Sequence, residues 1–294
     1  MTARDAAPDF DGLRVLALES RRALEVASVI STYGGTPIVA PALREVPLES
    51  NAEALAFAAA LLRGELDIVI FLTGVGTRAL VSAVEQVCSR EDFVSALART
   101  SVVARGPKPL AVLREMQVPV WIAVPEPNTW REVLGAMDAR AGERPLRGAR
   151  VAVQEYGVSS VELLEGLEAR GAEVSRVPVY RWALPEDIGP LRHAVTALAA
   201  EQVDAVMFTS SVQLVHLWQI VQEMQVEPQV RRGLARAVVA SIGPTTTEEL
   251  RHHGIAVDLE ASHPKFGFLI RELAEQSRSR LDAKAQAPPS AGDT

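Results

Sequence analysis

Short apolar runs, rich in β-branched residues, alternate with amphipathic stretches along most of the chain. Continuous apolar strands that are separated by helices are typical of parallel sheets covered on both faces. The pattern therefore predicts an α/β fold. The predicted strands are Arg14–Leu18, Thr36–Ala40, Asp67–Leu72, Ser101–Ala104, Pro119–Val124, Ala149–Val153, Glu173–Tyr180, Asp204–Phe208, Ala237–Ser241 and Ile255–Leu259.

The second half of this pattern repeats the first at a nearly constant spacing. The stretch Asp67–Thr73 resembles Asp204–Ser210, and Gly106-Pro107 recurs 137 residues later as Gly243-Pro244. A shift that holds along the chain predicts two similar doubly wound units, each with a parallel sheet of five strands. Ligands of such sheets bind beyond the carboxyl ends of the strands, so we expect a site in a cleft between the units, built from the loops that follow these ends.

Capping signals mark several helix boundaries. Thr129–Glu132, Ser159–Glu162 and Thr245–Glu248 each match the capping box. Gly171 and Gly254 stand where the following helices should end. The sequence thus predicts helices that begin at these three boxes.

Composition and charge exclude several classes of protein. Hydrophobic residues make up 48% and charged residues 23% of the chain, as in soluble globular proteins. The net charge of −7 argues against a general nucleic-acid binder. The single cysteine, Cys88, excludes a disulfide framework and a thiolate zinc site, and it fits a reducing compartment. The five histidines show no metal-ligand spacing.

The chain ends are polar. The stretch Met1–Asp11 lacks the apolar segment of a signal peptide. No apolar window reaches the roughly 18 residues that a membrane helix needs. We therefore expect a cytoplasmic protein that binds no membrane. Residues 277–294 are rich in Ser, Ala, Pro and charge, which predicts a disordered tail.

The loop after the third predicted strand is a candidate anion site. It reads Thr73-Gly74-Val75-Gly76-Thr77 and opens a helix. It nearly matches the dinucleotide fingerprint, but the next strand ends in Ala104-Arg105 without the acidic residue that the fingerprint needs. We favour a carboxylate-binding nest of helix N–H groups. A tight turn without a ligand is the alternative.

Other strand ends carry glycines, hydroxyls and a tyrosine. Gly106 and Gly243 precede helix starts, and Ser210-Ser211 and Thr245-Thr246 either contact a ligand or cap helices. Tyr180 ends a strand at the junction of the units, as a hydrogen-bond donor or weak acid in the cleft or as an interface packing residue. Such N–H groups and hydroxyls, with nearby arginines, suit a polycarboxylate ligand.

These motifs together resemble the uroporphyrinogen-III synthase family, from Leu13 to about Glu275. One departure is Pro109, where many family members have Thr. The motifs that carry the resemblance are Gly34-Gly35 and Pro41, Thr73-Gly74-Val75-Gly76, Ala104–Lys108, Pro127-Asn128-Thr129, Pro178–Arg181, Thr209-Ser210-Ser211 and Ile242–Thr246.

The resemblance implies a fold and a reaction. The fold would be two flavodoxin-like parallel five-stranded domains joined by a two-stranded linker: 1–43 plus 184–276, and 44–183. The reaction would convert hydroxymethylbilane to uroporphyrinogen III, with loss of water and inversion of the last ring, without cofactor or metal. Tyr180 would be the acid that assists loss of the hydroxyl. The residues expected to bind substrate are Arg21, Thr73, Gly74, Gly76, Thr77, Gly106, Lys108, Thr129, Gly157, Ser210, Ser211, Gly243, Thr245 and Thr246.

Two alternatives stay open at this point. A non-catalytic module of the same fold could sense a tetrapyrrole or serve a regulatory partner. A two-domain binding protein of the periplasmic type is disfavoured by the missing signal peptide. For the enzyme, the expected partners are the linear tetrapyrrole and, for transient hand-off, hydroxymethylbilane synthase.

Overall fold

The computed structural model describes residues 7–48, 51–157 and 159–286. In these ranges the chain forms eleven strands and twelve helices. The strands are β1 (Arg14–Ala17), β2 (Thr36–Val39), β3 (Arg44–Pro47), β4 (Ile68–Phe71), β5 (Ser101–Ala104), β6 (Ile122–Ala123), β7 (Arg150–Gly157), β8 (Glu173–Ala183), β9 (Ala205–Phe208), β10 (Val238–Ser241) and β11 (Leu259–Glu260). The helices are α1 (Ala23–Thr32), α2 (Ala52–Leu62), α3 (Gly74–Val84), α4 (Arg90–Leu97), α5 (Pro107–Glu115), α6 (Trp130–Asp138), α7 (Val161–Glu168), α8 (Gly189–Ala199), α9 (Ser211–Glu223), α10 (Glu227–Arg236), α11 (Pro244–His252) and α12 (Phe266–Gln286).

The described chain divides into two compact units. The first unit takes the chain up to Arg44 and again from Ala183 onward, and the second takes Glu45–Trp182. The first unit is therefore made of two separate segments of sequence, with the second unit inserted between them. None of the helices in the described ranges is long and apolar enough to cross a membrane.

The first unit is built on a parallel sheet of five strands, in the order β11-β10-β9-β1-β2. Side chains alternate between the two faces of these strands. Leu16 and Val206 pack on one face with α8 to α11, and Val15 and Met207 pack on the other with α1 and α12. Both faces are covered, which explains why the strands read as continuous apolar runs.

The second unit has a sheet of six strands, in the order β3-β8-β7-β4-β5-β6. The strands β4 to β8 are parallel. Val69 and Phe71 pack with α2 to α5 on one face, and Ile68 and Ile70 pack with α6 and α7 on the other. The core of this unit is thus also divided by its sheet.

The two units share one topology. Counted from β7, the order β8-β7-β4-β5-β6 of the second unit equals the order β2-β1-β9-β10-β11 of the first. Both correspond to the flavodoxin-like order 2-1-3-4-5. The two-domain α/β fold expected from the sequence is confirmed.

An Asp–Arg pair recurs at the same place in both sheets. Asp204, just before β9, accepts bonds from the guanidinium of Arg14 at 2.9 and 2.8 Å and from its backbone N–H at 2.7 Å. Asp67 and Arg150 repeat the arrangement before β4 and at the start of β7, at 3.1, 3.2 and 2.9 Å. Each carboxylate therefore links two neighbouring strands at their amino ends. The hydrogen bond from the arginine lowers the pKa of Asp204 and of Asp67.

The second sheet differs from the expected five strands by the addition of β3. Its sequence, Arg-Glu-Val-Pro, has no apolar run that could predict a strand. The strands β6 and β11 have two residues each, fewer than the expected Pro119–Val124 and Ile255–Leu259. Each pairs with a single neighbour at a sheet edge, so less of the apolar run is drawn into the ladder.

The expected disordered tail is wrong for residues 277–286, which are the last turns of α12. Ser277 is fully buried, and its hydroxyl donates to the Leu273 carbonyl at 2.6 Å. Lys284 Nζ lies 2.7 Å from the Asp258 carboxylate and 2.6 Å from the Ala237 carbonyl, at the starts of β11 and β10. These contacts hold a segment of low apolar content on the first unit. The expected tail residues 287–294 lie outside the described residues.

We expect Asp204→Asn to lower the free energy of unfolding by about 1 kcal/mol at neutral pH, because a neutral amide no longer attracts the charged guanidinium of Arg14. The loss is modest because the site is partly exposed to solvent. Since the folded-state pKa of Asp204 is lowered, its contribution is present above the unfolded-state pKa and is lost as the pH falls through the folded-state value. The wild-type and variant urea curves should therefore converge in acid, below about pH 4.

The matched control is Asp138→Asn. Asp138 pairs with Arg170 at 2.7 Å but is half exposed. Its loss should cost about 0.5 kcal/mol or less. Equal losses in the two variants would show that Asp204 is an ordinary surface ion pair.

Candidate functional site

The residues that the sequence singles out follow strands at the carboxyl edges of the two sheets or lie near the ends of these strands. Tyr180 lies inside β8, which continues to Ala183 beyond the predicted end. Those of the second unit are Thr73, Gly74, Gly76, Thr77, Gly106, Lys108, Thr129, Gly157 and Tyr180. Those of the first unit are Arg21, Ser210, Ser211, Gly243, Thr245 and Thr246. Within each unit the parallel strands thus bring the expected residues to one edge.

The loop between β4 and α3 is a capped helix start. Thr73 is the N-cap and accepts the Gly76 N–H at 3.0 Å. The hydroxyl of Thr77, which is fully buried, donates to the Thr73 carbonyl at 2.7 Å. Both hydroxyls are therefore used inside the loop. The N–H groups of Gly74 and Val75, in the first turn, have no acceptor within the helix and remain the groups that suit an anion.

The glycines of this loop serve helix packing. A Cβ on Gly74 would lie 2.9 Å from the Lys108 carbonyl oxygen, at the start of α5. A Cβ on Gly76 would collide with the side-chain amide of Gln154, which is fully buried on β7. The glycines let α3 approach α5 and β7, so helix packing alone accounts for both glycines of the near match to the fingerprint.

The loop after β5 depends on a glycine for a second reason. Gly106 is the N-cap of α5, with φ of 93° and Pro107 at the first helical position. A Cβ there would also lie 2.9 Å from the side-chain amide of Asn128. Lys108 is exposed in the first turn of α5. This loop can therefore offer helix N–H groups and one ammonium group to an anion.

The Thr129 hydroxyl belongs to the N-terminal cap of α6, where the predicted capping box is confirmed. Its hydroxyl donates to Glu132 Oε2 at 2.6 Å, and the Arg131 N–H donates to it at 3.2 Å. Only 6% of Thr129 is exposed. This occupied hydroxyl is a poorer ligand group than the sequence suggests.

The expected residues of the first unit lie at the starts of α1, α9 and α11. Arg21 is exposed before α1. Ser210 is the N-cap of α9 and accepts the Val212 N–H at 3.3 Å, and Ser211 begins the helix. Gly243 is the N-cap of α11, and Thr245 is exposed whereas Thr246 is buried.

Two of the three predicted capping boxes are wrong. α11 begins at Pro244 after Gly243, so Thr245 lies inside its first turn and cannot cap it. α7 has Ser160 as its N-cap without a side-chain cap, and the Ser159 hydroxyl instead donates to Glu155 Oε1 at 2.7 Å. In both places a competing residue determines the helix start: a Gly-Pro pair in one, and a buried carboxylate in the other.

The second unit has a cavity of about 110 Å³ beside the ends of β7 and β8. It contains Tyr180 and, of the other expected residues, Gly157. A carboxylate, a hydroxyl and two guanidinium groups also line the cavity, so its wall bears charges of both signs. Its lining residues are Leu48, Glu155, Gly157, Ser159, Arg176, Pro178, Tyr180 and Arg181.

Tyr180 is held by Trp182 and, through it, by Gly157. The Tyr180 ring is 7% exposed and meets the Trp182 ring edge to face, with centroids 5.5 Å apart. Gly157 has φ of 65°, and a Cβ there would collide with the Trp182 indole. The pairing of β7 with β8 is irregular between Glu155 and Gly157. A glycine at this irregularity leaves room for the indole that supports Tyr180.

Sequence reasoning missed Glu155, whose carboxylate is buried in this cavity. Glu155 is 3% exposed. Its Oε2 accepts Arg176 Nε at 3.0 Å, and its Oε1 accepts the Ser159 hydroxyl at 2.7 Å. The hydrogen bond to Glu155 raises the pKa of Arg176 above its ordinary value. The available signal was the polar pair Gln154-Glu155, which directly follows the apolar run of β7.

Among the residues that the structure describes, no three or more His, Cys, Asp or Glu side chains cluster as metal ligands would. The polar edges described above can hold carboxylates. The cavity can supply a phenol and a buried carboxylate to a reacting group.

Comparison with known sequences gives a family. The chain matches the model of the family described as "Uroporphyrinogen-III synthase HemD" over residues 25–271. It is 35% identical over 237 residues to a "Putative uroporphyrinogen-III synthase" of Methanothermobacter thermautotrophicus, covering 80% of this chain and 87% of the relative. It is 28% identical over 270 residues to the "Uncharacterized protein YjjA" of Bacillus subtilis, covering 90% and 96%.

Comparison with solved structures gives the same fold. A mutant uroporphyrinogen III synthase of Thermus thermophilus superposes with a TM-score of 0.71 at 24% identity, covering 92% of this chain and 100% of that one. The wild-type enzyme in another crystal form gives a TM-score of 0.56 at 25% identity, covering 92% and 99%. At 24% sequence identity, the similarity to the mutant structure shows the fold alone.

We expect Gly157→Ala to destabilise the protein by about 1–3 kcal/mol, because alanine would be strained at this φ and would displace Trp182. Urea unfolding measures the loss. Gly148→Ala is the matched control: Gly148 has φ of 73°, but a Cβ there meets nothing within 4 Å. The difference between the two variants therefore reports the contact with Trp182, and equal losses would argue against the packing role.

Proposed function

The chain belongs to the uroporphyrinogen-III synthase family, and from this premise we propose that it is an active synthase. The reaction is the closure of the linear hydroxymethylbilane to uroporphyrinogen III, with loss of water and inversion of the last pyrrole ring. The family model covers more than four fifths of the chain and includes every residue named in the cavity. The protein would thus act in tetrapyrrole biosynthesis.

The observation that carries the proposal is the cavity around Tyr180. Tyr180 is mostly buried, packed against Trp182, and next to a cavity with charged side chains near the carboxyl edge of a parallel sheet. A phenol suits a general acid for a leaving hydroxyl, because phenols are ordinarily protonated at neutral pH. A purely structural tyrosine would not need a cavity with charged groups beside it.

The proposed first step breaks the bond between the hydroxymethyl carbon and its oxygen. The electron pair of this bond leaves with the oxygen, which takes the Tyr180 phenol proton and departs as water. The hydroxymethyl group is on the first pyrrole ring, whose nitrogen supplies electrons, so the positive charge that remains is spread over this terminal ring. The substituted end carbon of the last ring attacks the exocyclic carbon and forms a spiro intermediate. The bond from that end carbon to the methylene bridge of the third ring then breaks, and the unsubstituted end carbon of the last ring attacks the cation formed at this bridge, which inverts the ring. The proton that this carbon loses as aromaticity is restored returns to Tyr180.

Substrate binding would rest mainly on backbone N–H groups. The first turns of α3, α5, α9 and α11 offer such groups at the carboxyl edges of their sheets, and Lys108 and Arg21 add positive charge. The side-chain hydroxyls of Thr73, Thr77 and Thr129 contribute less, because they bond within their own loops. A polycarboxylate held at the helix starts of one unit would be positioned for one mode of closure.

The hydroxymethylbilane also closes without help, to the type I isomer that keeps the orientation of the last ring. The enzyme must therefore receive its substrate quickly and prevent direct closure. For this reason we place hydroxymethylbilane synthase, which makes the substrate, as the transient partner of this protein.

The proposal predicts that the purified protein, without added cofactor, converts enzymatically generated hydroxymethylbilane mainly to the type III isomer. Oxidation of the products to porphyrins and chromatographic separation of the isomers measure the outcome. Prior dialysis against a chelator should leave the rate unchanged. If only the type I isomer forms, at the rate without protein, the synthase assignment fails and a non-catalytic tetrapyrrole-binding module of the same fold takes its place.

A pair of substitutions tests whether this activity depends on the cavity. Tyr180→Phe should lower kcat by about 10²-fold, the low end of general acid assistance, since an electron-rich pyrrole already helps the hydroxyl leave. Tyr33→Phe removes the same hydroxyl from the end of α1 in the first unit and should keep wild-type kcat. Wild-type kcat in both variants would return Tyr180 to a packing role.

A further inference from the structure

We propose that Glu155 stabilises the cation that forms on the terminal pyrrole when the hydroxyl leaves. This inference rests on the proposed synthase function and adds a second residue to it. Glu155 shares its cavity with Tyr180. In the division of roles that follows, Tyr180 supplies the proton and Glu155 supplies the fixed negative charge.

The burial of Glu155 is the first observation behind this role. Among the residues that the structure describes, Glu155 is the carboxylate that is buried, with a side chain 4% exposed. Removing a carboxylate from water is unfavourable by several kcal/mol unless the site compensates for it. The compensation here consists of the Ser159 hydroxyl at 2.7 Å and the Arg176 guanidinium at 3.0 Å.

The second observation is that the partner of Glu155 remains in solvent. The Arg176 side chain is 56% exposed, and it reaches the carboxylate from the neighbouring strand β8. As a brace between β7 and β8, an apolar pair of similar size would be equally stable or more so. A charge that is kept at the wall of a cavity therefore points to chemistry in the cavity.

The sign of the charge decides what Glu155 can do. The substrate carries carboxylates, which Glu155 repels, so this residue does not anchor them. Positive charge appears on the substrate only as the carbon–oxygen bond breaks. A preorganised carboxylate at the wall of the cavity lowers the energy of this charge without forming a bond. Its effect is therefore larger in the transition state than in the bound substrate, which raises kcat rather than affinity.

Two substitutions distinguish this role from that of a structural ion pair that braces β7 against β8. Both substitutions break the same ion pair, but only one of them removes the negative charge. Glu155→Gln keeps the size and the bond to Ser159 but removes the negative charge. Arg176→Gln keeps the negative charge and removes its exposed partner. The measurements are kcat and KM for type III formation, the ratio of type III to type I, and the urea midpoint of each variant.

We expect Glu155→Gln to lower kcat by about 10²-fold. Its KM should stay the same or fall, because a charge that repels the substrate is gone, and more type I isomer should form as free substrate closes during slow turnover. We expect Arg176→Gln to raise KM several-fold, because the unneutralised carboxylate repels the polycarboxylate more strongly, while kcat falls much less than in Glu155→Gln.

Equal losses of kcat and of stability in the two variants would show a brace and overturn the inference, as would wild-type kcat in Glu155→Gln. If Glu155→Gln does not fold, the kinetics of Arg176→Gln decide, because a brace predicts a loss of kcat with KM unchanged, whereas the proposed role predicts a rise in KM with kcat largely kept. A wild-type protein that forms no type III isomer would overturn the synthase assignment together with this inference. If the wild type is active but the two variants lose kcat equally, the role of Glu155 is overturned and the synthase assignment stands.

Discussion

The pairing of β7 with β8 is the interaction on which the candidate site depends. The two strands run parallel in regular register from Arg150 and Glu173 until Glu155 pairs with Pro178, and the register then shifts before Gly157 pairs with Arg181. The regular part places a carboxylate at the cavity wall. The shifted part, with a glycine at positive φ, admits the indole of Trp182 against Tyr180. The irregular pairing of β7 with β8 thus positions both the Glu155 carboxylate and the Tyr180 phenol.

The same physical rule built both sheets, which is why the sequence predicted most of the fold. The central strands β4, β5, β9 and β10 are buried along their whole length and are apolar at nearly every position, so they were visible as runs. The spacing of Gly106 and Gly243 revealed the repeat. The strand β3 was not predicted because an edge strand of four residues needs no apolar run. The last turns of α12 were not predicted because Ser277 and Lys284 are ordered by hydrogen bonds that composition does not show.

The site was predicted less completely than the fold. Tyr180, Gly157 and the helix starts were predicted as candidate site residues because strand ends in parallel sheets hold ligands. Motifs could not show that the hydroxyls of Thr77 and Thr129 bond within their own loops, nor that Gly76 makes room for Gln154. Glu155 was not predicted, because only its tertiary contacts with Ser159 and with Arg176 on β8 distinguish this buried carboxylate from an ordinary polar residue.

The central claim is that Tyr180 and Glu155 act together on the departure of the hydroxyl, one as acid and the other as fixed charge. A double-mutant cycle measures this directly, from kcat for type III formation in the wild type, Tyr180→Phe, Glu155→Gln and the double variant. Two groups that serve one bond-breaking step should be coupled, so the double variant should lose clearly less than the product of the two single losses. Losses that multiply without coupling would contradict the account.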